Sequence, residues 1–333
     1  MRVFVTGGTG LVGSHVAEQL RAKGHAVRAL VRVSSDTAHL EGVDAELVRG
    51  DMSSARDTLA DAMRGCDAIV HAAALVGART ARERYVAENV EGTRAVLLAA
   101  HSAGVRRVVH VSSVAVYGTI AGVIHEQRWR EQEIAARAFY AGSKRAAEIE
   151  AWRHHDEGRL RVTTVRPSLI YGERDRHVAA RLERVTRLPV LPLVDGGRHV
   201  APLVYAGNVA HGIVAALERP EAIGRAYNLA QDNRTPLRDF LSMWCAAGGR
   251  RAPSIVPVPG VLLESASRAV DSLSARVPGV DLPGLTRPAR LLRGDNPYDS
   301  TRARAELGWG DVVPVDIAVR RTVAWLNARR SHT

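Results

Sequence analysis

A doubly wound α/β fold, built on a parallel sheet and completed by a smaller carboxyl-terminal lobe, is predicted by three features of this 333-residue chain. Short β-branched runs alternate with helical patterns through the first half, the texture of repeated βαβ units whose sheet is covered on both faces. A glycine-rich turn, Gly7-Gly8-Thr9-Gly10-Leu11-Val12-Gly13, stands between the first strand and the first helix. After Pro167 the texture changes, with Pro189, Pro192, Gly196-Gly197 and Pro202 punctuating the chain.

The β-branched runs predict strands at Val3–Thr6, Ala26–Val31, Ala45–Val48, Ala68–His71, Arg107–Ser112 and Arg161–Arg166. Apolar residues recurring at helical spacing predict helices at Leu11–Ala22, Ala55–Met63, Glu83–Ala103 and Tyr140–His155. The pattern divides the chain into a nucleotide-binding part, residues 1–172, and a lobe over residues 173–333 that is mainly substrate-binding. Stretches near 203–230, Val204–Leu217 and Ala226–Ala230, are expected to return to the main sheet. An amphipathic helix at Val315–Ala328 closes the fold.

Hydrophobic content of 46% and charged content of 24% are ordinary for a soluble globular chain. The first strand runs straight into glycines, without the long apolar stretch and cleavage site of a signal peptide. No apolar run is long enough to span a bilayer. Cys66 and Cys245 stand far apart and outside any metal-like spacing, so neither a disulfide framework nor a metal site is expected, and a cytoplasmic setting is. The formal charge of +11 raises the question of nucleic acid. Basic residues come singly or in pairs such as Arg106-Arg107 and Arg250-Arg251, never as a block interleaved with aromatics. A solvated arginine-rich surface, with a basic pocket for an anionic cofactor, accounts for the charge, and no nucleic-acid partner is expected.

The glycine turn, placed between a strand and a helix, is suited to a dinucleotide's pyrophosphate. Glycine permits the tight turn and close backbone approach, while free amides and the helix dipole favour the phosphate charge. Thr9, Leu11 and Val12 lie within the turn and join Gly7, Gly10 and Gly13 as expected cofactor contacts. The second strand ends Ala29-Leu30-Val31-Arg32. An acidic residue there would bind a free adenosine ribose, whereas Arg32 suits a 2′-phosphate, so NADP is expected over NAD. Asp51 and Met52 follow the third strand and are placed to meet the adenine edge; Asp at a strand exit is also a common turn former.

Only Lys23 and Lys144 are lysines, so 44 of the 46 basic residues are arginine. Lys144 lies four residues after Tyr140, and residues at that spacing share one helix face. An ammonium is compact and titratable where a guanidinium is planar and permanently charged. A phenol of pKa about 10 is a poor base at neutral pH, but a neighbouring ammonium stabilises its phenolate and lowers that value. Ser113 stands at the exit of the strand Arg107–Ser112, on the edge where open α/β sheets bind ligands.

In chain order, Thr6 through Gly13, His71-Ala72-Ala73-Ala74, Asn89-Val90-Glu91-Gly92-Thr93, Ser112-Ser113-Val114-Ala115-Val116-Tyr117-Gly118, Tyr140-x-x-x-Lys144 and Arg166-Pro167-Ser168-Leu169-Ile170-Tyr171-Gly172 are the marked motifs. Together they closely resemble the extended short-chain dehydrogenase/reductase superfamily, of the NAD-dependent epimerase/dehydratase type, over nearly the whole chain. The resemblance implies a Rossmann domain with a smaller substrate lobe. It implies that Ser113 orients the reacting oxygen, that Tyr140 is the general acid/base, and that Lys144 holds the nicotinamide ribose while tuning the tyrosine. Ala72, Ala73, Ala74, Asn89, Ser112, Pro167 and Ile170 are implied to line the cofactor along with Tyr140 and Lys144. Ser113 is preferred to Ser112 because the family's hydroxyl residue lies four positions before the tyrosine of the pair Tyr117-Gly118.

Several chemistries share this scaffold. Sugar 4,6-dehydratases carry an Asp-Glu pair directly after the catalytic hydroxyl residue; Val114-Ala115 stands here, which disfavours dehydration. Val204–Ala210, Leu285-Thr286-Arg287 and Tyr298–Trp309 look more like the branch of 3β-hydroxysteroid dehydrogenases and dihydroflavonol-type reductases. The apolar stretch Pro257–Leu263, continued to Ala269-Val270, offers a wall for a hydrophobic small-molecule substrate, and equally a piece of plain core. The expectation is an NAD(P)-dependent alcohol/ketone oxidoreductase acting on a sterol-like compound. A nucleotide-sugar epimerase with tightly bound NAD is the alternative, since arginines could clamp a diphosphate. A dinucleotide-binding sensor or scaffold is the remote one, because such relatives typically lose the tyrosine or lysine. His154-His155 read as an exposed helix end and His125-Glu126 as a solvated loop, while a homodimer is left open.

Overall fold

Among the described residues, 1–77, 80–119, 121–230, 232–261, 265, 294–310 and 312–330, eleven strands and ten named α-helices follow one another in this computed structural model. The first part runs β1 (Arg2–Thr6), α1 (Leu11–Ala22), β2 (Ala26–Val31), β3 (Glu46–Arg49), α2 (Arg56–Met63), β4 (Ala68–His71), α3 (Arg82–Tyr85), α4 (Gly92–Ser102), β5 (Arg107–Val111), α5 (Phe139–Asp156) and β6 (Arg161–Pro167). There follow β7 (Leu169–Tyr171), α6 (Val178–Val185), β8 (Val190–Val194), β9 (Leu203–Tyr205), α7 (Ala206–Glu218), β10 (Ala226–Leu229), α8 (Leu237–Ala247), β11 (Ser254–Val258), α9 (Thr301–Leu307) and α10 (Val315–Arg330).

Seven of the strands pair in parallel in the order β10-β6-β5-β4-β1-β2-β3. Alternate side chains of each strand enter two separate cores. Val3, Val5, Val109, Val111 and Val165 pack with α1 and α7, which places the segment 206–218 over the main sheet. Phe4, Ile69, Val108 and Val162 pack with α2, α4 and α5 on the other face. Such double coverage explains why the buried strands read as continuous apolar runs. A third core gathers Tyr171, Leu182, Leu191, Phe240, Trp244 and Val319 from β7, α6, β8, α8 and α10. Its rings meet edge to face, Tyr171 against Phe240 at 5.1 Å.

The expected helix Glu83–Ala103 is instead three pieces: α3, a π-helical turn over Val86–Glu91, and α4. Side-chain periodicity carries no trace of that widening, which arises where Asn89 turns inward to bond the backbone after β4. The periodic stretch 315–328 lies within α10, and β11, which carries Pro257, forms a two-stranded sheet with β8. Residues 262–264, 269–270 and 285–287 of the expected apolar wall and carboxyl-terminal motif lie outside the described residues. Among the described residues no helix is long and apolar enough to cross a membrane.

Candidate active site

The turn after β1 is closed by the Gly10 amide donating to the Gly7 carbonyl at 2.9 Å. Gly7 has φ +73°, and a Cβ there would stand 2.7 Å from the Ala73 nitrogen. At Gly13 a Cβ would stand 2.1 Å from the Gly7 carbonyl oxygen, so only glycine lets α1 pack this close to the turn. Helix α1 starts from Gly10 with no side-chain cap. The amides of Leu11, Val12 and Gly13 therefore have no acceptor within the helix and are available to an anion beside Thr9. This cradle fits a dinucleotide pyrophosphate.

At the exits of β2 and β3, Arg32 lies 3.5 Å from Asp51 and 3.8 Å from Glu88. Asp51 Oδ1 accepts from the Ser53 amide at 2.9 Å and the Ser53 hydroxyl at 2.8 Å. The Ser53 amide first, then its hydroxyl and Arg32, hold the Asp51 carboxyl below its ordinary value. Asp51 is thus a turn cap and a counter-charge for Arg32, and Met52 packs against Gly92 at the head of α4.

A directed chain of hydrogen bonds runs from the loop after β4 to the π-helical turn. The Thr93 hydroxyl donates to the Asn89 carbonyl at 2.6 Å, so His71 Nε2, 2.9 Å away, must carry a hydrogen and donate to Thr93. Burial first, and the Lys144 charge second, lower the His71 pKa to about 3. The neutral ring then accepts at Nδ1 from the Thr6 hydroxyl at 2.7 Å, and Thr6 Oγ1 accepts from the Ala73 amide at 3.3 Å. Asn89 continues the tie: its Oδ1 accepts from the Leu75 amide at 2.7 Å, and its Nδ2 donates to the Leu75 carbonyl at 3.2 Å and Ser143 Oγ at 2.9 Å. Both amide hydrogens are spent inside the protein, where Asn89 holds the Leu75 backbone and Ser143.

Helix α5 brings the remaining groups to the exit of β5. Lys144 is buried, and its ammonium donates to the Val111 carbonyl at 2.7 Å, two residues before Ser113. Burial lowers the Lys144 pKa to about 8, with Glu148 opposing the shift. Ser113 Oγ accepts from the Ala115 amide at 3.2 Å, which leaves the hydroxyl hydrogen to be donated elsewhere. The next residue of α5, Arg145, donates from Nε to the Val116 carbonyl at 2.8 Å and clamps the helix to the short turn that follows Ser113. Tyr140 is half-buried at the start of α5, with the Tyr85 ring edge-on at 6.3 Å. Two ties thus hold α5, which carries Tyr140 and Lys144, to the backbone flanking Ser113. Pro167 ends β6 beside Leu229, and Ile170 on β7 packs against the α1-side core.

A family model described as "NAD dependent epimerase/dehydratase family" matches residues 3–230. The chain belongs to this family. It is an NAD-dependent enzyme of the extended short-chain dehydrogenase/reductase superfamily. The enzyme is 33% identical over 310 residues to a 4-hydroxy-2-methyl-3-oxo-4-farnesyl-3,4-dihydroquinoline-1-oxide ketoreductase of Stigmatella aurantiaca, covering 93% of this chain and 92% of that one. It is 29% identical to a 3-beta-hydroxysteroid dehydrogenase of Mycolicibacterium neoaurum, covering 92% and 86% of the two chains. The crystal structure of gox2253 superposes with a TM-score of 0.79 at 30% identity, covering 98% of each chain.

Several residues of the enzyme do work that sequence reasoning missed. Glu148 continues the stripe of Tyr140 and Lys144 by one further turn, and that spacing was the available signal. It is fully buried and accepts from Ser112 Oγ at 2.6 Å, Trp152 Nε1 at 3.1 Å and Arg166 Nη2 at 2.5 Å. Burial opposes its charge, but Arg166 and these donors outweigh burial and hold the carboxyl below its ordinary value. The hydroxyl of Ser112 is thus committed to Glu148. Arg166 donates further to the Tyr117 hydroxyl and the Glu126 carbonyl, both at 2.8 Å. Burial pushes the Tyr117 pKa up to about 12, so Tyr117 stays protonated and structural. Glu126, expected in a solvated loop, is buried and accepts from the Asn228 amide at 3.0 Å, because β10 lies against this loop. His154 is likewise fully buried, since the sheet-facing stripe of α5 extends to its last turn. His125 pairs with Asp299 at 2.9 Å.

Proposed function

We propose that this enzyme interconverts a secondary alcohol and a ketone with NADP, on a hydrophobic substrate of sterol-like character. The observation that carries the reading is the tie from Lys144 to Val111, which sets the Tyr140 helix against the strand exit bearing Ser113. A nicotinamide held here would supply the hydride for reduction and take it up in oxidation. In reduction the Ser113 hydroxyl donates to the substrate carbonyl oxygen, and Tyr140 transfers its phenolic proton to that oxygen as the alcohol forms. The Lys144 ammonium stabilises the phenolate left behind until solvent reprotonates it. Lys144 and Tyr140 are also the groups placed to meet the nicotinamide ribose, and the glycine cradle to meet the pyrophosphate.

The relatives named for ketoreduction of a farnesylated quinoline oxide and for 3β-hydroxysteroid dehydrogenation support the hydrophobic substrate class. Arg32 supports NADP: its ion pairs at 3.5 and 3.8 Å are loose and half-exposed, so a 2′-phosphate can replace them. Screening ketones and alcohols, sterols included, for consumption of added NADPH or NADP tests reaction and coenzyme together. We expect stoichiometric coenzyme turnover, abolished in Tyr140→Phe with cofactor binding retained. Conversion of a nucleotide sugar with no net change in added nicotinamide would favour an epimerase instead, and tighter binding of NADH than NADPH would remove the NADP assignment.

A further inference from the structure

Three buried polar atoms carried by β5 and β6 on the α5 side of the sheet have no hydrogen-bond partner within the described protein: His110 Nδ1, His110 Nε2 and Thr164 Oγ1. The register makes them neighbours, because His110 pairs with Thr164 across β5 and β6 and with His71 across β4 and β5. Strand alternation points them to the face that also carries Ser112 and Arg166, both bonded to Glu148 of α5. Both residues are fully buried.

The surroundings on either side are satisfied. Thr6 and His71 end their chain at Thr93 and Asn89, Ser112 donates to Glu148, and Arg166 donates to Glu148, Tyr117 and Glu126. Above the row, α5 buries Ala147 and Ala151, whose methyl groups bring no polar atom to it. Native proteins rarely leave such a cluster unpaired, and ordered water is the usual partner. Lys144 lies beside the row, since its acceptor Val111 is the residue after His110. An ammonium has three hydrogens, and Val111 takes one.

We propose that His110 and Thr164 hold a buried water molecule under α5, and that this water accepts a hydrogen from the Lys144 ammonium, making His110 a positioning residue for that lysine. One water can accept from the ammonium while bonding an unprotonated ring nitrogen and the threonine hydroxyl. Burial first, then the charges of Lys144, His71 and Arg166, hold the His110 pKa well below its ordinary value, so the ring keeps an acceptor nitrogen. The titratable groups coupled to Lys144 are Glu148 on its own helix, His71 on β4 and His110 on β5, and Arg166 on β6 acts on His110 and Glu148.

The test does not depend on the reaction, because the chain holds two lysines. Labelling with [13C]lysine gives two side-chain titrations, assigned with Lys23→Arg. Losing the water removes an acceptor that favours the charged form, so Lys144 should titrate lower by more than about half a pH unit in Thr164→Val and in His110→Phe, with Lys23 unmoved. Neither substitution changes a charge. A high-resolution crystal structure of the unaltered protein should show the water within hydrogen-bond reach of His110 and Thr164. A structure without it, or an unchanged Lys144 midpoint in Thr164→Val, overturns the proposal; Thr164→Val decides alone if His110→Phe fails to fold.

Discussion

The Lys144 ammonium donates to the main-chain carbonyl of Val111 at 2.7 Å, so a side chain of α5 is pinned to β5 two residues before Ser113. Neither partner is free to drift, because Lys144 is buried and Val111 sits within the sheet. Together with the bond from Arg145 to the Val116 carbonyl, this charge-assisted bond holds the helix that carries Tyr140 against the backbone flanking Ser113.

Lys144→Arg should reduce turnover by about 10²–10⁴-fold although the positive charge is kept. A planar guanidinium is too large for the space that lets the ammonium reach Val111. Steady-state kinetics with the substrate found by screening check this, and near-native turnover would contradict the role.

Removing the Glu148 charge leaves Arg166 buried beside uncharged partners. Glu148→Gln should therefore lower stability by about 3–5 kcal/mol, read from urea unfolding midpoints. It should also push the Lys144 pKa further below about 8, because Glu148 is the group that opposes the lowering by burial. A joint change, Glu148→Gln with Arg166→Met, should recover part of the lost stability.

Acid should weaken the fold earlier than carboxylates alone would. The pKa of His71 is lowered to about 3, chiefly by burial, and that of His15 to about 4, again first by burial and then by Arg174. Between those values and 6.5 the unfolded chain binds protons that the folded chain refuses, so stability falls as pH falls, by about 1.4 kcal/mol per pH unit for each histidine. Above pH 6.5 neither histidine contributes a slope. Melting temperatures at pH 7.5 and 5.0 should differ clearly, with the lower value at pH 5.0.

Gly13→Ala should eliminate cofactor binding, because the added Cβ would fall 2.1 Å from the Gly7 carbonyl oxygen and force the phosphate turn open. Nucleotide titration by protein fluorescence measures this directly. Affinity within threefold of the unaltered enzyme would contradict the cradle.

Asn89→Ala should leave the Leu75 amide and carbonyl without their Asn89 partner, costing about 1–3 kcal/mol for each group left unpaired. Hydrogen exchange at the Leu75 amide should rise, and cofactor affinity should fall with it. Unchanged protection at Leu75 would show that the loop holds without Asn89.

Strands β2 and β4 and helix α1 occupy the ranges their apolar patterns predict, because each packs in a period that side chains record directly. The break at the π-helical turn left no such record, as its cause is a bond from Asn89 to a loop distant in sequence. The carboxylate of Glu126 and the ring of His154 looked exposed for a similar reason: what buries them is β10 and the sheet, each brought in by a chain crossover. Glu148 was legible in spacing, but its importance comes from Arg166, eighteen residues away.

By itself the sequence determined the βαβ order and the glycine turn, and singled out Tyr140, Lys144 and Ser113 as candidates, because local periodicity, fixed spacings and ordered motifs are written along the chain. Tertiary structure alone decided that Ser112 serves Glu148 while Ser113 keeps a hydrogen to give, and that Asn89 and His71 brace the loop after β4. Those outcomes depend on which donors and acceptors meet inside a low-dielectric interior, where every polar group must find a partner, and linear order does not specify such meetings.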